Sequence, residues 1–537
     1  MNTLVQTHSN EQLLWMPRNK TAVKKMSKSV CSFLDTAVSS MGRATHYNTR
    51  AEQQAAELRV HDELFGLERD VYAVLLTLPG LTDRSVQIGM KKLLSFPRNG
   101  VEQAFLEPGQ ERMVLYHLFQ ALPPQRMLKL IDGLRVGDAS LGLKKANNAR
   151  TRKLILRTLL SSPRLQLWSV KYRTKMRAAL THAWGLRLTS IIGSILKKGG
   201  RYRKKKELTI LEQNIRKHCQ LNRYKEVLEC VGFILDVRER LSLPLFVSFE
   251  KAKEDIKAGS KLPLEVLEGL RSTYHPDTKK EDVLKLVAKG GKLTGHQKMA
   301  VQKRAKRANV EVDMDPTKYD AVRLYLYAFE CGLTQEIANA LDEKAKETAA
   351  MFPTRYKSVA VIVDASQSMA GHRSQPLRPL AVALAMRDTL LHTGDESQEY
   401  HVSGTDIEAG DGLVRPMGDT AIADSLVEAL NDEPEAVFVI SDGYENAPAG
   451  RFAEVMHHVR EIGIDTPVYH LNPVFAAESK GARELAPNDG VPTMPVQQPG
   501  QLTATFIRGM IEAEPVNGIN ALLRLALGSV ETRKALS

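Results

Sequence analysis

From Asp364 the chain reads Asp-Ala-Ser-Gln-Ser, one carboxylate and two hydroxyls at alternate positions. Small, hard oxygen donors at that spacing suit Mg²⁺, which prefers near-octahedral oxygen ligation, uses few carboxylates and keeps waters or open positions. Two more oxygen side chains follow, Thr420 in Gly418-Asp419-Thr420 and Asp442 in Ser441-Asp442-Gly443. The plainer alternative is that Asp364 and its serines cap the next helix. Capping, however, gives no account of Thr420 and Asp442. An aspartyl nucleophile of the phosphotransferase type would carry a second Asp two residues on, where Ser366 stands.

The elements that must hold these residues are short apolar runs. Residues 359–363 are apolar and mostly β-branched, too short for a helix and continuous enough for a central parallel strand buried on both faces. That strand leads straight into Asp364, so the oxygen ligands sit on the loop at its carboxyl end, the edge where open α/β sheets bind ligands. Residues 436–440 read as a second buried strand that ends at Ser441-Asp442. Strands over 399–403 and 466–470 and helices over 379–392, 421–430, 449–462 and 500–511 complete a doubly wound sheet. Asp-x-Ser-x-Ser, a loop Thr and a strand-end Asp-Gly together form the pattern of a metal-ion-dependent adhesion site. Here the chain resembles the von Willebrand factor A domain. The resemblance implies that Asp364, Ser366, Ser368, Thr420 and Asp442 hold Mg²⁺ or another divalent cation, directly or through water.

At 537 residues the chain exceeds one ordinary core, and 43% apolar with 26% charged residues is a globular composition. No run of about 18 apolar residues predicts a membrane span. The first twenty residues lack a basic start followed by an apolar core, so a cytoplasmic protein is expected. Four scattered cysteines, without paired or zinc spacing, read as reduced thiols. The net charge of +13 hides an asymmetry: residues 352–537 carry 14 Lys and Arg against 25 Asp and Glu, which leaves 61 against 37 for the rest. A polyanion, RNA or DNA, is the first candidate partner of that basic part.

Residues 1–55 read as a partly ordered arm with a basic patch at Lys20, Lys24, Lys25 and Lys28. From 56 to 350, apolar residues recur at helical spacing between Pro and Gly breaks, which predicts helical repeats of the HEAT kind, closed into a ring or left as an open solenoid. Cations cluster there at Lys171, Arg173, Lys175 and Arg177, in the run Arg201, Arg203, Lys204, Lys205 and Lys206, and around Lys303 and Arg304. Each cluster alone is equally readable as a solvated helix face. Together with the run Lys144, Lys145, Arg150, Arg152, Lys153 and Arg157, four such clusters opposite an acidic remainder favour phosphate contacts, with nearby Tyr or Trp placed to stack on unpaired bases.

After Pro316, residues 319–332 and 336–350 form two amphipathic helices that run into the Asp-x-Ser-x-Ser strand. This junction resembles that of the Ro autoantigen (TROVE-domain) family, a ring of helical repeats joined to a von Willebrand A domain. Lys171-Tyr172-Arg173-Thr174-Lys175, followed by His182, resembles a Lys-Tyr helix of the same family, with Met176-Arg177-Ala178-Ala179 in place of its Gly-Trp-Ser-His piece. The resemblance implies binding of small noncoding RNA and of misfolded RNA ends. It makes Lys171, Lys175 and His182 candidate contacts, to which the charge clusters add Arg201, Arg203, Lys204, Lys205, Lys303 and Arg304. Residues 353–512 are then the A domain, and 513–537 a helix packed back on the body.

The expected function is a monomeric, non-enzymatic RNA-binding scaffold whose metal site recognises a carboxylate on a protein partner, a ribonuclease among the candidates. The alternative is a metal-dependent protein-binding scaffold without specific RNA binding. A metal-dependent hydrolase would need a base or second metal cluster beside Asp364, and none is evident.

Overall fold

The computed structural model describes residues 14–39, 49–96, 106, 108–137, 145–198, 202–290, 293, 295–307, 309–352, 354–371, 376–404, 413–474 and 484–536. The chain forms two compact units. Residues 90–101 and 115–315 make a helical unit; residues 1–89, 102–114 and 316–537 make an α/β unit.

In the helical unit the breaks seen in the sequence act as start and stop signals. Pro124 and Pro244 open their helices at the position where no amide partner is needed. Asn148 caps Ala149–Leu160 by accepting from the Thr151 amide at 2.9 Å. Gly185, at φ 82°, ends Arg173–Trp184 and the next helix starts at Leu186. Arg173–Trp184 packs against Pro124–Val136 and Ala149–Leu160; Met176, Ala179 and Leu180 of the first, Leu130 and Leu134 of the second and Ile155 of the third are all buried. No strand occurs among the described residues of this unit. Lys171 and Lys175 do not share a helix, because Tyr172 breaks the chain at φ −125°, ψ 27°.

The α/β unit is built on a parallel five-stranded sheet. Its strands are β1 (Tyr356–Asp364), β2 (Gly394–Val402), β3 (Ala436–Ile440), β4 (Val468–Asn472) and β5 (Thr493–Pro495), in the spatial order β2-β1-β3-β4-β5. Alternate residues face opposite ways. Ala360, Ile362, Val437 and Val439 pack with Ile422 and Leu426 of helix Ile422–Asn431 and Phe452 and Met456 of helix Arg451–Glu461. On the other face Phe438 and Tyr469 meet Phe506 of helix Leu502–Ala513, with ring centroids 5.8 and 5.0 Å away. Helices therefore cover both faces, as a parallel sheet requires.

The residues read as an arm include helix Lys20–Ser39, which buries Val30, Phe33 and Ala37 in the α/β unit. Helix Pro515–Leu536 packs in the same unit. Its fully buried Asn520 accepts from the amides of Leu14 and Trp15 at 2.8 and 2.9 Å and donates to the Trp15 carbonyl at 3.0 Å. Among the described residues no helix is long and apolar enough to cross a membrane. All four cysteines are free thiols.

Candidate functional site

The spatial order of the strands creates one switch point, between β1 and β3, where successive connections leave in opposite directions. Ligands of open α/β sheets bind in the crevice at the carboxyl ends of such a strand pair. Asp364 closes β1, and Ser441-Asp442 directly follows β3. The five sequence-predicted oxygen ligands thus come from two adjacent strand ends and one neighbouring loop. The backbone ties that loop in place: the Gln367 amide donates to the Gly418 carbonyl at 3.1 Å, and the Met417 amide to the Ala365 carbonyl at 3.0 Å.

Asp364 is 1% exposed, and both of its oxygens are oriented. Oδ1 accepts from the Ser366 amide at 2.8 Å and Oδ2 from the Ser441 hydroxyl at 2.7 Å. The hydroxyls of Ser366 and Ser368 lie 3.1 Å apart. Thr420 is buried, and its amide donates to Asn446 Oδ1 at 2.7 Å. Asp442 accepts from the Tyr444 amide at 3.0 Å, while its carbonyl takes a bond from Asn472 Nδ2 at 3.1 Å.

Among the described residues no cationic side chain pairs with Asp364. Burial pushes its carboxyl above the ordinary range and the charge of Asp442 adds to that, while the bonds from Ser366 and Ser441 work the other way. A divalent cation would reverse this balance, because the ion becomes the largest local charge. Among the described residues no group of three or more His, Cys, Asp and Glu is placed to hold a metal. Two carboxylates and three hydroxyls make a different donor set, wholly oxygen, which fits Mg²⁺ rather than Zn²⁺.

Three residues at this site escaped sequence reasoning. Ser441 holds Asp364, Asn446 holds Thr420, and His470 supports Ser441 from below by its Nε2 contact to the Ser441 carbonyl at 3.0 Å. His470 is fully buried, and burial lowers its pKa to about 4, so the ring is neutral. Their short, isolated contacts leave no periodic signal in the sequence.

In the helical unit, Lys175 and His182 line one cavity of about 460 Å³ between Pro124–Val136 and Arg173–Trp184, together with Arg126, Lys129, Asp132 and Arg135. Asp132 pairs with Arg135 at 2.8 Å. His182 is 7% exposed and its Nε2 has no hydrogen-bond partner. Burial, then the charges of Arg135 and Arg152, lower its pKa, so the imidazole is neutral at pH 7. Arg126, Lys129 and Arg135 were missed because they sit in a helix of mixed polarity without charge density.

The other expected contacts do not gather there. Lys171 is bound to Glu265 at 2.8 Å, and Arg304 to Glu268 at 2.9 Å. Arg203 donates to the Ile195 carbonyl at 3.2 Å. Lys204 and Lys205 are exposed at the start of helix Lys205–Asn214, beside Tyr202, which is 75% exposed. Arg201 and the side chain of Lys303 lie outside the described residues. A further basic group forms where Arg173, Arg177 and Arg238 share the single carboxylate of Asp236 at 3.1, 2.5 and 2.9 Å.

The chain matches no model of a known protein family and no curated protein sequence.

Proposed function

We propose that the protein is an RNA-binding scaffold of the Ro type, with residues 56–350 as a HEAT-like repeat domain and residues 353–512, around the five-stranded sheet, as a von Willebrand A domain. The reading is carried by the convergence of Lys129, Lys175, Arg126, Arg135 and His182 on one cavity of a strongly basic unit. Residues 90–101 and 115–315 hold 46 Lys and Arg against 19 Asp and Glu, and the rest of the chain 29 against 43. Such a surface collects phosphates, and the neutral His182 adds a hydrogen-bonding group that discriminates one bound nucleotide edge from another. No catalytic step is assigned.

In this reading Asp364, Ser366, Ser368, Thr420 and Asp442 hold Mg²⁺ and leave a coordination position for a carboxylate of a protein partner. When bound, the ion supplies that Lewis-acidic contact; the chain's own part is to orient Asp364 through Ser366 and Ser441.

The test is to purify the protein from its own cells at low salt and sequence the nucleic acid that comes with it, beside a Lys129→Glu/Lys175→Glu variant. A discrete set of structured small RNAs, lost in the variant, is the expected result. If no RNA is enriched, or only bulk RNA that moderate salt removes, the protein is instead a metal-dependent protein-binding scaffold.

A further inference from the structure

The basic patch of helix Lys20–Ser39 lies in the α/β unit, away from the cations used above in sequence. Lys20, Lys24 and Lys28 stand at i, i+4 and i+8, so their side chains form one row along the helix, each about 6 Å further along the axis. Among the described residues none of the three has a hydrogen-bond or ion-pair partner. The helix has no acidic residue in its first turn, and Asp35, its single carboxylate, is taken by Arg508 at 3.1 Å. Like charges at i, i+4 repel, and cations near a helix N-terminus oppose its dipole. Both penalties are relieved when an anion lies along the row.

The space for that anion exists. Lys20, Lys24, Lys28, Ser27 and Ser32, with the Arg508–Asp35 ion pair, line a cavity of about 530 Å³. The lining contains no aromatic side chain on which a base would stack, and only Val23, Cys31 and Pro515, all small, as apolar anchors. Its walls are helices, with no free strand edge to extend. A peptide needs anchors or an edge of that kind; a nucleic-acid backbone needs only phosphate donors at intervals.

We propose that this groove is a second nucleic-acid contact, taking the phosphate backbone of a single RNA strand without regard to its bases. The proposal rests on the RNA-binding reading and extends it to the α/β unit.

The probe is a 5′-labelled, mixed-sequence, twelve-nucleotide single-stranded RNA, bound to the full-length protein and followed by fluorescence anisotropy over a salt series. Replacing Lys20, Lys24 and Lys28 together by Gln should lower the slope of log K against log salt by about 2, at roughly 0.7 per phosphate on a single strand. Gln keeps the helix propensity of Lys, and far-UV circular dichroism checks that the variant folds. Lys25→Gln, which does not line the groove, should leave the slope unchanged. In the wild type, 4-thiouridine crosslinks should map to residues 20–32.

If the wild type binds RNA but the triple variant keeps the full slope and crosslinks fall only within 115–315, the groove proposal is overturned and the RNA-binding reading stands. If the wild type binds no RNA, both fall. Binding of an oligoglutamate peptide that the triple variant loses, with RNA affinity untouched, would assign the groove to an acidic protein partner and overturn the proposal.

Discussion

At the scale of single residues, Asp364 is a buried carboxylate held by two neutral donors, with the charge of Asp442 set against its own. Asp364→Ala removes the central candidate ligand. Titration calorimetry with MgCl₂ should show binding in the wild type and none in the variant, while RNA affinity stays unchanged. An equal fall in RNA affinity would defeat the separation of the two functions. His470, beneath the same loop, makes a different prediction. Its pKa is lowered from the ordinary 6.5 to about 4, so the folded state binds fewer protons than the unfolded one. The resulting stability is fully present above about pH 6.5 and is lost as pH falls toward 4, about 2 kcal/mol of it between pH 7 and pH 5. His470→Gln should unfold in urea with a pH dependence weaker by about that amount, and an unchanged dependence would show that the ring titrates normally.

The Asp-x-Ser-x-Ser spacing and Asp442 are readable as a candidate ligand set because hard cations demand particular donor types. Ser441 and His470 are not, since a hydroxyl or imidazole becomes a support only when folding brings it within 3 Å of its partner.

Secondary-structure elements bring burial and pairing into the reckoning. β1 and β3 are readable because a strand covered on both faces must be apolar without interruption. β2 begins with the polar Gly394-Asp395-Glu396-Ser397-Gln398 and lies at the sheet edge, paired on one side only, so its first half carries no hydrophobic signal. β5 spans only three residues, too few for any period. The helix Ala321–Cys331 is linked to helix Arg378–Leu391 and to β2 through Arg387, which donates to Asp388 at 2.7 Å, to Glu399 at 2.9 Å and to the Tyr325 hydroxyl at 3.0 Å. Arg387→Met leaves two half-buried carboxylates without their cation, and chemical denaturation should record a loss of about 3 kcal/mol. A loss within 0.5 kcal/mol would mean that the network is solvated like a surface pair.

The whole molecule is divided by charge and by long-range closure. The helical unit carries the excess of cations and the α/β unit the excess of carboxylates, so nucleic-acid affinity of the full chain should fall steeply with salt. Within the α/β unit, Asn520 joins residues 14 and 15 to the last helix across more than 500 positions of sequence. Asn520→Leu leaves the buried Trp15 amide and the half-buried Leu14 amide unsatisfied, and should destabilise this unit by about 2 kcal/mol. Unchanged stability would show that water replaces the side chain there.

By itself the sequence determined the two kinds of architecture and the charge division, and it put forward the five oxygen side chains as a candidate set, because these follow from local periodicity, composition and donor chemistry. Only the tertiary structure decided that the basic helix at 20–39 belongs with the α/β unit, that Lys171 is neutralised by Glu265 while Lys175 opens on a cavity, and that β1 and β3 flank the switch point. Those outcomes depend on which residues meet across hundreds of positions. No pattern of neighbours along the chain contains that information.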